Sequence, residues 1–250
     1  MTLAGRHALV TGGGSGVGAA IARALLGGGA RVTICGRNAD ALAAVAGTEM
    51  RFATGDVTKP DDVRAMFDAA GAEWGPPAIV IANAGAAASR PFLKTTPADF
   101  GAMVDLNLGG VFSTWHAGLA PMVQAGWGRL VAIASTAGLR GYPYVAGYCA
   151  AKHGVVGLTR ALAVETAKTG VTVNAVCPGY MLTPMLERSI ETIMAKTGRT
   201  RAEAEAPLLA GNPQGRFIEV DDVAAAVLWL CSDAAASVTG QAISISGGET

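Results

Sequence analysis

Charge is scarce in this chain. Asp, Glu, Lys and Arg make up 15% of its 250 residues, and 19 basic side chains balance 19 acidic ones to a formal net charge of zero. Without a basic stripe, nucleic acid is not the expected partner. Little charge combined with 51% apolar residues excludes a disordered chain, which needs low hydrophobicity and high net charge. Near-zero net charge favours self-association instead. The cysteines are few and scattered: Cys35, Cys149, Cys177 and Cys231 form no CxxC and have no nearby histidine partner, so metal-ligand spacing is missing. Reduced thiols in a cytosolic protein are the expectation. Long hydrophobic runs are absent too; Val223–Cys231 falls far short of a membrane span, so no membrane is expected. The opening MTLAGRHALVTGG carries no signal-peptide pattern and runs straight into a strand, which points to the cytoplasm. Neither a linker, a low-complexity tract nor an internal repeat divides the chain, so residues 1–250 are expected to form a single domain.

What is there is an alternation. Short β-branched apolar runs at His7–Val10, Arg31–Cys35, Met50–Ala53, Ala78–Ala82, Arg129–Ser135, Val171–Cys177 and Gln241–Ser246 are separated by Ala- and Leu-rich stretches long enough for helices. Several runs are apolar throughout, as strands covered on both faces should be. Helical crossovers between parallel strands give an α/β, doubly wound parallel sheet with helices on both faces. Ligands of such sheets bind beyond the carboxyl ends of the strands. Glycine is plentiful, 34 of 250 residues. Gly109, Gly110 and Gly118 fall in a helical stretch, where each costs roughly 1 kcal/mol against alanine, so close approach of a backbone or ligand is expected there.

Thr11-Gly12-Gly13-Gly14-Ser15-Gly16-Val17-Gly18 follows the first strand and opens a helix over Ala19–Leu26. Glycines in that place permit a tight turn and let the backbone approach a pyrophosphate, whose charge a helix N-terminus favours. A glycine cluster alone is weak evidence; its position in the first strand–helix unit is what supports dinucleotide binding.

Tyr148 and Lys152 stand four residues apart, which on a helix places both side chains on one face. A free tyrosine, with a pKa of about 10, is a poor base at neutral pH. A neighbouring ammonium favours the phenolate and is expected to bring that value down. Ser135, at the end of a strand, offers a hydroxyl to a substrate oxygen. Taken alone, these residues also fit a surface pair and a helix cap.

Together with Asp56-Val57, Asn83-Ala84-Gly85, Asn107, and Pro178-Gly179 with Thr183, the Thr-Gly-x-x-x-Gly-x-Gly loop, Ser135 and Tyr148-x-x-x-Lys152 resemble the short-chain dehydrogenase/reductase family along nearly the whole chain. The resemblance implies a Rossmann fold and a nicotinamide-dependent oxidoreductase. By the same resemblance, Tyr148 exchanges a proton with the substrate oxygen, Ser135 stabilises that oxygen, Lys152 also holds the nicotinamide ribose, and Asn107 keeps a water in the proton path. Thr183 is implied at the carboxamide, Pro178-Gly179 beside the ring and Asp56 near the adenine. Gly12, Ser15, Gly16, Val17, Gly18, Val57, Asn83 and Gly85 complete the implied cofactor set. Two positions depart from the family: Ala82, where a second asparagine is usual, and Ser15, where members preferring the phosphorylated cofactor often carry a basic residue.

The second strand ends in Gly36-Arg37. A carboxylate here commonly accepts the ribose hydroxyls of the unphosphorylated cofactor. Glycine in its place, with Arg37 beside it to pair with a ribose phosphate, favours NADP, with NAD as the alternative. The substrate walls are expected from Ala86–Phe92, Ala137–Val145 and Tyr180–Gly215, the last holding a substrate-loop insertion at about 184–215. Their side chains are largely apolar: Phe92, Leu139, Tyr142, Tyr144, Met181, Met185 and Leu186. Arg90 and Arg140 are candidates for phosphates of a carrier thioester or for plain surface charge. The stretch 148–183 resembles 3-oxoacyl thioester and polyketide ketoreductases and hydroxyacyl dehydrogenases, so reduction of a 3-oxoacyl group, CoA- or carrier-protein-linked, leads. The alternatives are oxidation of a small cyclic or secondary alcohol, and a cofactor-binding regulator without turnover. His7, His116 and His153 read as structural or exposed, and Trp115, Trp127 and Trp229 as core or interface. Small residues within Ala98–Gln124 and the apolar stretch Val155–Ala167 lead to the expectation of a homotetramer.

Overall fold

The structure, a computed structural model, describes residues 2–250, apart from the side chains of Pro184 and Met185. All seven strands form where the sequence places them, with ends displaced by a residue or two: β1 His7–Thr11, β2 Arg31–Gly36, β3 Arg51–Thr54, β4 Ile79–Ala82, β5 Gly128–Ile133, β6 Val171–Pro178 and β7 Ala242–Ile245. They pair in one parallel sheet of order β3-β2-β1-β4-β5-β6-β7. The interior strands β1, β4, β5 and β6 are buried at every residue, whereas β3, at the sheet edge, is largely exposed. The order in which successive strands are laid down reverses between β1 and β4, which opens a crevice at their carboxyl ends.

The period of two divides each strand between two cores. Ala8, Val10, Val32, Ile34, Ile79 and Ile81 face one side, against α1 (Gly16–Gly27), α2 (Ala39–Ala46) and α9 (Val220–Cys231). Leu9, Val80, Leu130 and Val173 face the other, against α3 (Pro60–Trp74), α5 (Gly110–Ala125) and α6 (Ala146–Thr166). The helix α4 (Pro97–Val104) begins with a capping box in which Thr96 and Asp99 satisfy each other's backbone N–H groups. Between α4 and α5 the chain widens into a π-helical turn, Asp105–Gly109. After β6, α7 (Pro184–Thr197) and α8 (Arg201–Leu209) pack on each other over a small core of Leu186, Ile190, Ala204 and Phe217, separate from the two cores of the sheet. Among the described residues no helix is long and apolar enough to cross a membrane.

Two of the three helical glycines are explained inside the chain, while Gly109 meets nothing nearer than the Val104 carbonyl at 3.8 Å. A Cβ on Gly110 would lie 2.8 Å from Val57 Cγ2, and one on Gly118 would lie 3.0 Å from Val80 Cγ2 and 3.2 Å from Phe67 Cε1. Both let α5 settle close to its neighbours in the same subunit. They therefore give no support to a contact between subunits. His7 is buried and held by Thr33 and the Gly75 carbonyl, and Trp115 is core, as expected.

Gly118→Val should overpack this contact and lower stability by about 1–3 kcal/mol. The check is the urea midpoint of unfolding, which should fall while the slope of the transition stays the same.

Candidate active site

The sequence-identified motifs follow the carboxyl ends of β1 to β6, with the glycine loop on one side of the crevice and Tyr148 on the other. In the turn from β1 into α1, Gly12, Gly13 and Gly18 stand where a side chain does not fit. Gly12 and Gly16 have φ of 66° and 51°, and a Cβ on Gly18 would fall 2.3 Å from the Gly12 carbonyl oxygen. Asn83, after β4, fastens this loop: its side-chain amide donates to the carbonyls of Thr11 at 2.9 Å and Gly12 at 3.2 Å. Thr11 reciprocates, its hydroxyl accepting from the backbone N–H groups of Asn83 and Ala84. The side chain of Asn83 is thus committed to the loop. Thr11, which the sequence reading took only as the first residue of the glycine motif, has an equal share in it.

The groups left open around the loop are those a dinucleotide would use. Ser15 stands at the N-cap of α1 in an extended conformation, makes no capping bond, and no acidic side chain follows in the first turn. Val17 packs against the core behind the loop. At the end of β2, Arg37 is exposed. A side chain at Gly36 would meet nothing nearer than Leu42 Cδ2 at 3.6 Å, so packing does not demand a glycine there. Asp56 follows β3; its carboxylate accepts from the backbone N–H and hydroxyl of Thr58, which hold it below the usual carboxylate range, with Arg37 adding a weaker attraction. Val57 is buried beneath Gly110.

Across the crevice, Ser135 lies two residues beyond β5, at the head of a single 3-10 turn, Thr136–Gly138, and its hydroxyl accepts from the Ala137 N–H at 3.1 Å. It stands near the phenol of Tyr148, in the first turn of α6. One turn on, Lys152 is buried, donates to the Ile133 carbonyl at 2.8 Å, and sits 5.6 Å from the centre of the Tyr148 ring. The serine, tyrosine and lysine are therefore together, as the spacing predicts.

Their electrostatics correct the sequence reading. Burial raises the Tyr148 phenol to about 12, against a smaller opposing effect of the Ser135 hydroxyl. Burial also lowers Lys152 to about 8. The Lys152 ammonium, which donates one of its three N–H bonds to the Ile133 carbonyl, does not offset the burial of the phenol. Tyr148 is held as the neutral phenol.

Asn107 is buried in the π-helical turn. Its amide donates to the carbonyls of Ala86 at 2.9 Å and Met103 at 3.0 Å and accepts from the Ala86 N–H at 3.2 Å. These bonds make it a positioning residue for the backbone after Gly85, where a Cβ would fall 2.7 Å from the Asn107 amide oxygen. Pro178 ends β6, and the Gly179 N–H donates to the Ile245 carbonyl of β7. Thr183 caps α7, accepting from the Leu186 N–H.

Of the expected walls, Tyr142 and Tyr180 meet edge to face, their ring centres 6.3 Å apart. Tyr144, with φ of 69°, is exposed, and its carbonyl accepts from the N–H of Arg90, two residues before the exposed Phe92. Leu186 belongs to the small core of α7 and α8 and does not face the crevice as a wall, while the Met185 side chain lies outside the described residues. Arg90 and Arg140 are each paired with a carboxylate, Asp99 and Glu249, and so are not free phosphate ligands. Glu249 is the wall residue that sequence reasoning missed. The one signal for it is Gly247-Gly248, both at positive φ, which turn the chain back toward β6. Among the described residues no group of three His, Cys, Asp or Glu side chains is placed to hold a metal.

Comparison with known proteins agrees with this arrangement. A family model described as enoyl-(acyl carrier protein) reductase matches residues 12–250. A protein named D-beta-hydroxybutyrate dehydrogenase, from Rhizobium meliloti, is 36% identical over 98% of this chain and 98% of its own. The granaticin polyketide synthase putative ketoacyl reductase 1 of Streptomyces violaceoruber is 39% identical over 96% of this chain and 92% of its own. A solved structure of actinorhodin polyketide ketoreductase with NADPH superposes with a TM-score of 0.93 at 38% identity, covering 98% of this chain and 97% of that one. With the glycine crevice, the Ser135–Tyr148–Lys152 group and full-length similarity of this order, the chain belongs to the short-chain dehydrogenase/reductase family.

Proposed function

We propose that this enzyme reduces the ketone of a 3-oxoacyl compound to a secondary alcohol with NADPH. The observation that carries this reading is the Tyr148 phenol, which burial keeps protonated near the Ser135 hydroxyl, and relatives named ketoacyl reductases support the direction. A reductase needs an acid at this position: negative charge grows on the carbonyl oxygen, and the group beside it must give up a proton. Ser135 offers that oxygen a hydroxyl from a fixed 3-10 turn, so its stabilisation needs little reorganisation. Lys152, anchored to Ile133, stands behind the tyrosine ready to restore its proton. The bound nicotinamide supplies the hydride.

The cofactor fits the residues present. The glycine-rich turn Gly12–Gly18 gives the pyrophosphate access to backbone N–H groups, Ser15 keeps its hydroxyl free, and Arg37 lies exposed where a ribose phosphate would come. We assign Gly85 and Asn83 to the nicotinamide side of the crevice, Asp56 and Val57 to the adenine side, and Pro178, Gly179 and Thr183 to the carboxamide. The segment 184–215 serves as the substrate loop. Relatives named as ketoacyl reductases support a thioester carried on CoA or a carrier protein as substrate. The hydroxybutyrate dehydrogenases among the relatives favour the opposite direction, alcohol oxidation, as a second reading. Reduced cysteines, three of them buried, fit work in the cytoplasm.

The assembly we propose is a homotetramer. Phe100, Phe112, Val123 and Val164, on α4, α5 and α6, are exposed by 40% or more. Burying such apolar side chains against symmetry-related copies removes them from water. Light scattering at micromolar concentration should give four times the 25.1 kDa of the chain; an active monomer would refute this reading.

Tyr148→Phe should keep cofactor affinity and lose at least about 100-fold in turnover, the usual share of general acid catalysis; stopped-flow absorbance of the nicotinamide measures it. Arg37→Ala should weaken NADP by about tenfold or more through loss of a charge-assisted bond, and leave NAD nearly unchanged. Gly36→Asp, for which there is room, should shift preference toward NAD. Fluorescence titration with both cofactors reads the two variants together.

A further inference from the structure

Glu249 is a buried carboxylate for which the proposed reaction has no use. Its side chain is only 5% exposed. One oxygen accepts the Tyr142 hydroxyl at 2.6 Å and lies 3.7 Å from the Arg140 guanidinium. That guanidinium in turn sits 5.2 Å from the centre of the Tyr142 ring. The carboxylate also reaches the backbone beside the site. A Cβ on Gly179 would be 3.4 Å from Glu249 Oε2, and one on Gly211 would be 2.8 Å from Oε1.

The group therefore ties together three wall segments: the loop after β5, the end of β6 and the chain after α8. It adjoins the reacting residues by two routes. Tyr142 lies 2.8 Å from the hydroxyl of Thr136, the neighbour of Ser135. Tyr180, which packs on Tyr142, is close enough to raise the Tyr148 phenol and is itself raised by burial and by Glu249.

We propose that Glu249 and Arg140 form a charge filter that confines the site to 3-oxo compounds whose acyl end is uncharged, an ester or thioester, and turns away the free acid. This rests on the reductase reading above and narrows it. The physical argument is a balance of charge. A carboxylate entering a partly buried site needs a cation, and the two arginines flanking this cleft are already matched, Arg140 to Glu249 and Arg90 to Asp99 at 2.8 Å. A substrate anion at this wall would meet Glu249, whose paired cation Arg140 is already matched, and like charges in a poorly solvated site repel strongly. An ester or thioester meets no such penalty. Without the Glu249 charge, Arg140 would stand unmatched in the wall and the selectivity would weaken.

The test compares ethyl acetoacetate with acetoacetate as substrates. The wild type should favour the ester by at least about 100-fold in kcat/KM. Glu249→Gln, which keeps an acceptor for the Tyr142 hydroxyl, should reduce that ratio at least about tenfold, and Glu249→Gln with Arg140→Gln should return it toward the wild-type value. A wild type that reduces both compounds equally well, or a ratio unmoved in a folded Glu249→Gln protein, overturns the proposal. Should Glu249→Gln not fold, Arg140→Gln alone decides: it leaves Glu249 unmatched, so the ratio must rise, and an unchanged or lower ratio is a refutation. Calorimetric titration of butanoate into the protein with NADP needs no turnover. Binding should be absent in the wild type, present in Glu249→Gln and lost again in the double variant. If no carbonyl compound is turned over, the reductase reading fails, and the butanoate titration still decides the filter on its own.

Discussion

The start of α1 approaches the carboxyl ends of β1 and β4 so closely that no side chain can stand at Gly18. The Gly18 α-carbon faces both the Gly12 carbonyl and the Asn83 amide, and even a methyl group would collide with them. Everything functional in the molecule is arranged around that constraint. It brings the start of α1 to the crevice with bare backbone, it fixes the course of the chain after Asn83 through Thr11, and it delivers Gly85 and Ala86 to Asn107. The opposite wall, with Ser135, Tyr148 and Lys152, is placed by β5 and α6, both packed into the same core. Two rigid walls of different origin thus face each other across a gap defined by the sheet.

Much of this was legible in the sequence. Uninterrupted apolar runs gave away the buried strands, because a parallel sheet covered on both faces has no use for alternation. Tyr148 and Lys152 were legible because helical spacing is a local property. Their proton affinities were not, since these depend on how much protein surrounds each group, and only tertiary packing decides that. The phenol is pushed up where the local pair of residues suggested it would be drawn down.

The roles of glycine were half legible. Local sequence identifies a glycine turn, but whether Gly118 serves a ligand, another subunit or its own neighbours depends on what lies opposite; here that is Val80 and Phe67. Glu249 shows the limit most plainly. Its partners Tyr142 and Arg140 are more than a hundred residues away along the chain, and an acidic residue near the end of a sequence has no local mark that distinguishes it from a solvated one.

The π-helical turn Asp105–Gly109 has a bearing on how this chain could tolerate change in length. A π turn is an α-helix with one residue too many. Deleting a single residue within 105–109 would leave a regular helix running from α4 into α5, with backbone bonding intact. The phase of everything on one side of the deletion would turn by about 100° relative to the other, one residue of a helix with 3.6 per turn. Asn107 would then leave Ala86, or Gly110 and Gly118 would leave Val57 and Val80. The surplus residue is a register shim between two parts that must each face their own neighbour, and a sequence of this length can lose it only by rebuilding one of them.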